Sequence, residues 1–437
     1  MTLAAPLNPR SGATRSGVTR SGVTRSGATR SGATRSAGTA TTASRTGKAV
    51  DIRWPVDPVI SGVFLLIVTL GLVMVASASS EISARNFENP FHMFIRHGAY
   101  MAIALATGLT VLSIPVRIWQ RFDWLLLGGC LLLLVAVLVP GIGKEVNGST
   151  RWIALGGFTL QGSEFAKLFI VVFMAGYLVR HWEDVCGSFK GFLKPLAIMA
   201  PVVVMLLMQP DFGASVVILA AVLGMIFLSG VPLRYFLPMI LVVAAGAAYV
   251  IVDQPYRLAR LTAFTDPWEH QFGGGYQLTQ ALIAFGRGEW FGLGLGNSIQ
   301  KLFFLPEAHT DFLFSIIAEE LGVLGAVVVI AAFATLVIRG AWIGRIAEIR
   351  GERFHALLAY GIALLLGVQA AINIGVNIGL LPTKGLTLPL MSYGGNSLII
   401  SFVLIAILLR VEYECVREPL LAPGRSARKK GGTKHGR

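Results

Sequence analysis

The segment Leu305–Phe312 carries the side chain of this chain that is best suited to acid–base chemistry. It reads Leu-Pro-Glu-Ala-His-Thr-Asp-Phe and lies where a polar stretch gives way to a long apolar one. Thr310 has the type and position of a helix N-cap, which predicts that Asp311 lies in the first turn of a helix. A carboxylate at a boundary between water and lipid is suited to accept a proton as a general base. The alternative is that Asp311 only complements the helix dipole.

Two further carboxylates, Glu319 and Glu320, follow in the same apolar stretch. In a continuous helix they would lie roughly 12–14 Å beyond Asp311, at about 1.5 Å per residue. Carboxylates at such a depth are costly unless they are paired or used. We predict that they give structural support as a buried polar network, because that depth excludes a bulky polar substrate.

Cations and aromatic residues stand in three further polar segments, 141–163, 254–310 and 381–397. Glu164 and Lys167, at the next helix start, have the spacing of an ion pair on one helical face. Several fixed cations at one interface suit a diphosphate, whereas each cation alone is equally typical of headgroup snorkelling. The candidate contacts for a substrate and its diphosphate are Arg151, Trp152, Glu164, Lys167, Arg257, Arg260 and Lys384, with Arg287 and Lys301 as further cations.

The apolar residues predict an all-α polytopic membrane protein. They make up 54% of the 437 residues, and 14% are charged. A soluble domain of this composition would expose too much apolar surface, and apolar runs of about 18 residues or more recur along the chain. About ten transmembrane helices are predicted, at 58–79, 94–113, 123–140, 164–181, 194–209, 212–229, 235–253, 311–338, 355–380 and 396–412.

Lysine and arginine set the predicted orientation. With ten spans both termini share one side, and that side carries 27 of the 37 basic residues. The N- and C-termini are therefore expected in the cytoplasm, with a large extracytoplasmic loop, 254–310, between spans 7 and 8. The net charge of +14 suits anionic membrane lipids and is no evidence for nucleic acid as a partner. None of the three cysteines lies in a predicted outer loop, so no disulfide framework is expected.

Composition divides the chain into three predicted regions. Residues 1–57 form a basic cytoplasmic tail with Arg-Ser-Gly-X-Thr repeats, which cannot bury surface and is expected to be disordered. Residues 58–415 form the ten-helix membrane domain. Residues 416–437 form a second basic cytoplasmic tail.

A set of short motifs spans 58–415 in one order. They are Ser149-Thr-Arg-Trp-Ile153, Gln161-Gly-Ser-Glu-Phe-Ala-Lys167, Gly275-Tyr-Gln-Leu-Thr-Gln280, Gly294-Leu-Gly-Asn297, Lys301-Leu-Phe-Phe-Leu-Pro-Glu-Ala-His-Thr-Asp-Phe312, Glu319-Glu-Leu-Gly322, Leu381-Pro-Thr-Lys-Gly-Leu-Thr-Leu-Pro-Leu390 and Ser392-Tyr-Gly-Gly395. In these motifs the chain resembles the SEDS (shape, elongation, division, sporulation) family of peptidoglycan glycosyltransferases. Ala308 and the segment 383–387 are more similar to its cell-division branch than to its elongation branch.

The resemblance implies an enzyme of the bacterial inner membrane that polymerises lipid II at the division septum. Its partners would be a class B penicillin-binding protein, the septal transpeptidase, and other division proteins. The family's essential acidic residue falls on Asp311, and its sensitive Trp, Glu and Lys fall on Trp152, Glu164 and Lys167. Its final-loop lysine falls on Lys384. A divalent cation, Mg²⁺ or Mn²⁺, is a candidate cofactor whose ligands stay unassigned.

Two other classes of function stay open on the residues themselves. A flippase or transporter of the lipid-linked precursor would also use intramembrane glutamates and broken outer loops. It predicts polar residues that continue to the cytoplasmic side, where the predicted spans are almost wholly apolar. A scaffold of the division machinery is the third hypothesis.

Gly162 and Asn396 stand where the family commonly has Pro and Ser, which bears on local backbone shape.

Overall fold

The computed structural model describes residues 56–146, 149–156, 158–253, 255–383 and 385–417. Long apolar runs form helices there because backbone groups in lipid need partners within their own segment. In chain order the described part contains α1 (Pro58–Phe87), α2 (His92–Leu112), α3 (Val116–Arg121), α4 (Asp123–Leu138), β1 (Gly143–Val146), β2 (Ser149–Leu155), β3 (Phe158–Gln161), α5 (Gly162–Arg180), α6 (Trp182–Gly187), α7 (Phe189–Met208), α8 (Phe212–Leu228), α9 (Leu233–Asp253), α10 (Pro255–Thr265), α11 (Tyr276–Gly288), α12 (Leu313–Ile349), α13 (Arg353–Asn377), α14 (Gly395–Glu412) and a π-helical turn, Tyr413–Arg417.

Each of the ten predicted spans overlaps one long helix: α1, α2, α4, α5, α7, α8, α9, α12, α13 or α14. Among the described residues, seven helices are long and apolar enough to cross a membrane, and α4 and α8 are shorter apolar helices. The prediction of a polytopic helical membrane protein is therefore confirmed. The count of ten spans and the orientation of the termini stay predictions.

Two helices, α5 and α13, form the centre of the bundle. They are the most buried of the seven long apolar helices, and α13 packs against α5, α8 and α12. A helix that is enclosed on all sides must satisfy each of its polar side chains inside the protein. The polar residues of α5 and α13 are therefore positioned by neighbouring segments.

The polar segment 141–163 contains a small sheet that the all-α prediction missed. Strands β1, β2 and β3 form a three-stranded antiparallel sheet in that order. Trp152 lies opposite Lys144 on one side and Gln161 on the other. The β2 sequence is rich in β-branched and aromatic residues, which favour a pleated strand, but it is too short to stand out between apolar helices.

Helix α12 is broken at Gly322, where the prediction had one continuous helix. Gly322 has φ 69° and ψ −170°, so two helices meet there across a kink. The loop after α11 enters the break, where Leu293 and Gly294 donate backbone hydrogen bonds to the carbonyls of Glu319 and Glu320 at 2.9 and 3.0 Å. A Cβ on Gly322 would meet backbone atoms of this loop at 2.5 Å. The glycine therefore permits the close approach.

The large loop packs against this end of the bundle through α11, which contacts α12 and α13. The phenyl ring of Phe285 in α11 packs against Phe314 in α12, with 5.7 Å between ring centroids. Three glycines of the loop, Gly292, Gly294 and Gly296, have φ between 80° and 92°. Backbone with positive φ favours glycine, and these residues let the stretch turn tightly.

Candidate active site

A cavity of about 500 Å³ opens at the end of the bundle where the predicted outer segments meet. The sheet, the α7–α8 turn, the segment before α12 and the loop before α14 all contribute to it. Its charged and aromatic lining residues are Arg96, Tyr100, Arg151, Trp152, Glu164, Asp211, Glu307, Asp311 and Tyr393. Sites of this size and mixed polarity are typical of small-molecule and cofactor binding.

Asp311 lines the cavity and is partly exposed to it. The prediction for its helical position was wrong, because α12 begins at Leu313 with Phe312 at the cap. Thr310 is not the N-cap. Its hydroxyl instead donates to the carboxylate of Glu307 at 2.8 Å, within a turn that also joins the Phe312 N–H to the Glu307 carbonyl. Asp311 therefore projects from a turn just before the helix.

The backbone of Asp311 is held from α13. The amide groups of Asn373 and Asn377 donate to its carbonyl oxygen at 2.8 and 3.0 Å. Asn373 also donates to the carbonyl of Leu386 in the final loop at 2.6 Å. A Cβ on Gly385 would lie 3.2 Å from Oδ2 of Asp311. The two asparagines of α13 thus fix the segment of Asp311 and the loop beside its carboxylate.

Glu164 and Lys167 form the ion pair that their spacing predicts, with Nζ and Oε2 2.8 Å apart. Both are buried, and only Glu164 is among the lining residues of the cavity. Lys167 donates to Gln369 of α13 at 2.7 Å, and the amide of Gln369 donates to the carbonyl of Thr387 at 3.0 Å. Lys167 is therefore buried outside the described lining of the cavity and is linked through Gln369 to the final loop, and its contact with a phosphate stays a prediction.

Arg151 lines the cavity from β2. Its Nε donates to the carbonyl of Gln209 at 3.2 Å, and Nη2 donates to the carbonyl of Pro210. These are carbonyls at the C-terminal end of α7, where a guanidinium is electrostatically favoured. Trp152, next on the strand, also lines the cavity.

The side chains of three predicted cations lie outside the described part of the molecule. Arg257 and Arg260 belong to α10, but their side chains are outside the described residues. Lys384 falls in the gap between the described ranges 255–383 and 385–417. Their contact with an anion stays a prediction.

Glu319 is fully buried near the break in α12 and does not line the cavity. Its carboxylate accepts from the backbone N–H of Ile299 at 3.1 Å, from that of Gln300 at 3.2 Å, and from the hydroxyl of Ser298. Nε of Arg287 lies 3.4 Å from it. These contacts fasten the long loop to α12.

Glu320 is equally buried and joins the same loop to α1. Its Oε1 accepts from Nζ of Lys301 at 3.0 Å and from the hydroxyl of Ser77 at 2.6 Å. Lys301 also donates to Ser77 at 2.9 Å. Lys301, a predicted loop cation, is therefore engaged inside the protein.

Arg96 is a cavity residue that the sequence reasoning missed. It lies near the start of α2, it is exposed, and its Nη2 is 3.4 Å from the hydroxyl of Tyr100. The available signal was a single guanidinium at the end of an apolar span, which taken alone is equally typical of headgroup snorkelling. With Arg151 it supplies the cavity's cations among the described lining residues.

Tyr393 joins the final loop to the segment that contains Asp311. Its backbone N–H donates to the carbonyl of His309 at 2.9 Å, and the centroids of the two side-chain rings lie 5.4 Å apart. Burial lowers the pKa of His309 from 6.5, although Glu307 opposes the shift, and burial raises the pKa of Tyr393. Both rings are therefore uncharged at neutral pH.

The described lining carries four carboxylates, Glu164, Asp211, Glu307 and Asp311, against the two guanidiniums of Arg96 and Arg151. Within the described residues, no group of three or more His, Cys, Asp or Glu side chains is arranged to hold a metal ion. One or two carboxylates still suffice for Mg²⁺ when substrate phosphate supplies further ligands. The described carboxylates therefore fit a cation that is also bound by substrate phosphate better than a cation held by the protein alone.

Fold and cavity together define a polytopic membrane protein with an acid-rich cavity at one end of its helices. Residues 58–416 match the FtsW/RodA/SpoVE family of cell cycle proteins, and the chain belongs to that family.

The chain is similar to curated proteins over most of their length. It is 52% identical over 369 residues to the probable peptidoglycan glycosyltransferase FtsW of Pseudomonas fluorescens (strain SBW25), covering 84% of this chain and 90% of that protein. It is 53% identical over 375 residues to the probable FtsW of Hahella chejuensis (strain KCTC 2396), covering 86% and 94%.

Solved structures share the fold. A chain from work on the structural coordination of polymerization and crosslinking by a peptidoglycan synthase complex has a TM-score of 0.70 and 28% identity, over 84% of this chain and all of that one. The rod shape determining protein RodA of Thermus thermophilus has a TM-score of 0.61 and 27% identity, over 83% and 98%.

Proposed function

We propose that this protein is a peptidoglycan glycosyltransferase that polymerises lipid II into glycan strands for the septal wall during cell division. Its similarity over most of their length to proteins named peptidoglycan glycosyltransferase supports the reaction class. The observation that carries the site is the cavity that Asp311, whose main chain is held by two asparagines, lines together with Arg96 and Arg151.

In the proposed reaction the C4 hydroxyl of the acceptor attacks C1 of the donor glycan. The new O–C1 bond forms as the bond from C1 to the diphosphate oxygen breaks, and undecaprenyl diphosphate leaves with the electron pair. Asp311 accepts the hydroxyl proton as general base. A single displacement of this kind inverts C1 and needs no covalent nucleophile.

Positive charge would stabilise the leaving diphosphate, and two guanidiniums of the described cavity lining can supply it. Arg96 and Arg151 line it, and Arg151 is already oriented by the carbonyls of Gln209 and Pro210. A fixed guanidinium costs little reorganisation when charge develops on the phosphate. Lys384, Arg257 and Arg260 remain proposed additional contacts.

A divalent cation is proposed as a shared element. Bound Mg²⁺ or Mn²⁺ would offset charge on the diphosphate. Among the lining carboxylates, Asp211 is the proposed ligand: one of its oxygens caps α8 at the N–H of Ala214, 3.2 Å away, and the other is buried without a partner in the described part. In this proposal Asp311 is the general base for the acceptor hydroxyl and not a ligand of the cation.

The proposed setting is the bacterial inner membrane at the septum, with the cavity on the outer face and both termini in the cytoplasm. A class B penicillin-binding protein and other division proteins are the proposed partners. The similarity to a chain of a peptidoglycan synthase complex supports such an assembly.

The rival function is translocation of the lipid-linked precursor. It requires polar residues along a path to the other face. Below Lys167, the buried residues of α5 from Leu168 to Ala175 are all apolar. This wall favours polymerisation at one face.

The test is glycan synthesis from lipid II by the purified full chain with its penicillin-binding partner. Long glycan on a gel supports the proposal. Loss of that glycan when a chelator is added supports the divalent cation. Lipid translocation in proteoliposomes without any glycan, in the same preparation, overturns it in favour of the flippase.

A further inference from the structure

A second cavity, of about 430 Å³, lies at the opposite end of the bundle from Asp311. Helix α5 begins beside the first cavity at Glu164 and reaches the second at Leu178, roughly 21 Å away at about 1.5 Å per residue. Helix α13 runs from Arg353, at the second cavity, to Asn377, beneath Asp311. The two cavities are therefore on opposite faces of the molecule.

The walls of the second cavity change from apolar to polar toward its mouth. Leu178 of α5 and Leu357 of α13 lie on the bundle side. Trp182, the first residue of α6, and Arg353, the first residue of α13, lie toward the mouth. Leu228 closes a further side and is 40% exposed. A lipid has this same order, with its chains toward the membrane centre and its headgroup at the surface.

The mouth carries a cation that is not neutralised. The guanidinium of Arg353 lies 4.6 Å from the centroid of the Trp182 ring, and within the described residues it forms no ion pair. The carboxylate in the lining, Glu348, is already engaged, because Arg345 lies 2.9 Å from it and the hydroxyl of Tyr360 donates to it at 3.1 Å.

Backbone groups add to the positive potential at this mouth. Arg353 is the first residue of α13, a helix of 25 residues, and helix N-termini favour negative charge. Trp182 is held in place because its indole N–H donates to the carbonyl of Ser229 at 2.9 Å. An indole beside a cation at a helix end is a usual arrangement at a membrane–water boundary.

We propose that this cavity binds the headgroup of an anionic phospholipid from the cytoplasmic leaflet. Basic pockets between transmembrane helices on the cytoplasmic side recognise such headgroups. The inference rests on the charge bias that turns this end toward the cytoplasm, and it is independent of the polymerase chemistry. A peptide of a cytoplasmic partner is disfavoured, because the aliphatic walls continue toward the membrane centre.

The test is native mass spectrometry of the full chain taken from nanodiscs of phosphatidylcholine mixed with phosphatidylglycerol. We expect wild type to retain one phosphatidylglycerol that Arg353→Gln retains about fivefold less well, since a basic group near the surface contributes on this scale. Leu228→Trp, which fills the cavity without a change of charge, should lose the same lipid. Arg350→Gln, the matched control beside the cavity but outside its lining, should keep it.

Equal retention of phosphatidylglycerol by wild type and Arg353→Gln would overturn the proposal. Retention of phosphatidylcholine as strongly as phosphatidylglycerol would overturn it as well, because the cavity would then not select an anionic headgroup. Unchanged melting temperatures of the variants establish that any loss of lipid is not a loss of fold.

Discussion

The carboxylate of Asp311 and those of Glu319 and Glu320 stand close together in the sequence but in opposite surroundings. Asp311 is partly exposed, lines a 500 Å³ cavity, and has its main chain anchored by two asparagines. Glu319 and Glu320 are fully buried and are bound by serine hydroxyls, backbone N–H groups, Arg287 and Lys301.

This difference separates chemistry from support. A general base must reach a substrate hydroxyl, so its backbone is fixed while its carboxylate faces the cavity. A structural carboxylate in a membrane protein must instead be surrounded by donors, because an unpaired charge there is costly. The difference in accessibility therefore supports the proposed roles, which residue type alone left open.

The largest expected effect is on the Asp311 side of this comparison. Asp311→Asn keeps the shape of the side chain and removes the base, so glycan synthesis should fall by about 10²–10⁴-fold. The melting temperature should stay near that of wild type, because asparagine keeps the shape of the side chain and the bonds from Asn373 and Asn377 to the main chain are retained. A matching loss of stability would mean that Asp311 is structural.

The Glu320 side should respond in stability. Glu320→Leu leaves Lys301 buried without its carboxylate and should cost about 3–5 kcal/mol of unfolding free energy, measured by thermal or denaturant unfolding. The double variant Lys301→Met/Glu320→Leu should recover most of that loss, since it removes both charges. If the single variant were as stable as wild type but inactive, Glu320 would belong with the chemistry.

A smaller effect is expected from crowding the Asp311 carboxylate. A methyl group at position 385 would sit 3.2 Å from Oδ2 of Asp311, so Gly385→Ala should lower the rate of glycan synthesis by roughly tenfold, as for a misplaced catalytic group. The control is Gly286→Ala, where an added Cβ meets nothing within 4 Å and the rate should be unchanged. Equal rates for both variants would show that the final loop does not touch the reaction.

The smallest expected effect is a pH dependence at His309. Burial lowers its folded-state pKa below 6.5, so below about pH 6.5 the unfolded chain binds a proton that the folded chain rejects. Stability should therefore fall as the pH drops through that value, and His309→Phe should reduce the slope. Melting temperatures measured from pH 7.5 to 5 check it, and identical slopes would contradict it.

Sequence reasoning succeeded where the signal is local. The ten apolar runs correspond to helices, and the Glu164–Lys167 pair forms as its spacing predicts, because both depend on neighbouring positions in one helix. Asp311 also lies at a cavity. These features need no knowledge of the partner segments.

The remainder depends on contacts between distant segments. Lys167 points away from the cavity because Gln369, on another central helix, binds it. Arg96 joins the site only because the first turns of α2 lie at the same cavity as Tyr393. The break at Gly322 exists because a loop inserts there. No periodicity within one segment specifies such pairings.

The most direct measurement is the initial rate of glycan synthesis by Asp311→Asn beside that of Lys301→Met/Glu320→Leu, each folded and bound to the same penicillin-binding partner. The account predicts that the double variant keeps a rate near that of wild type, whereas Asp311→Asn makes almost no glycan. Full-length glycan from Asp311→Asn would contradict the assignment of Asp311 as the general base.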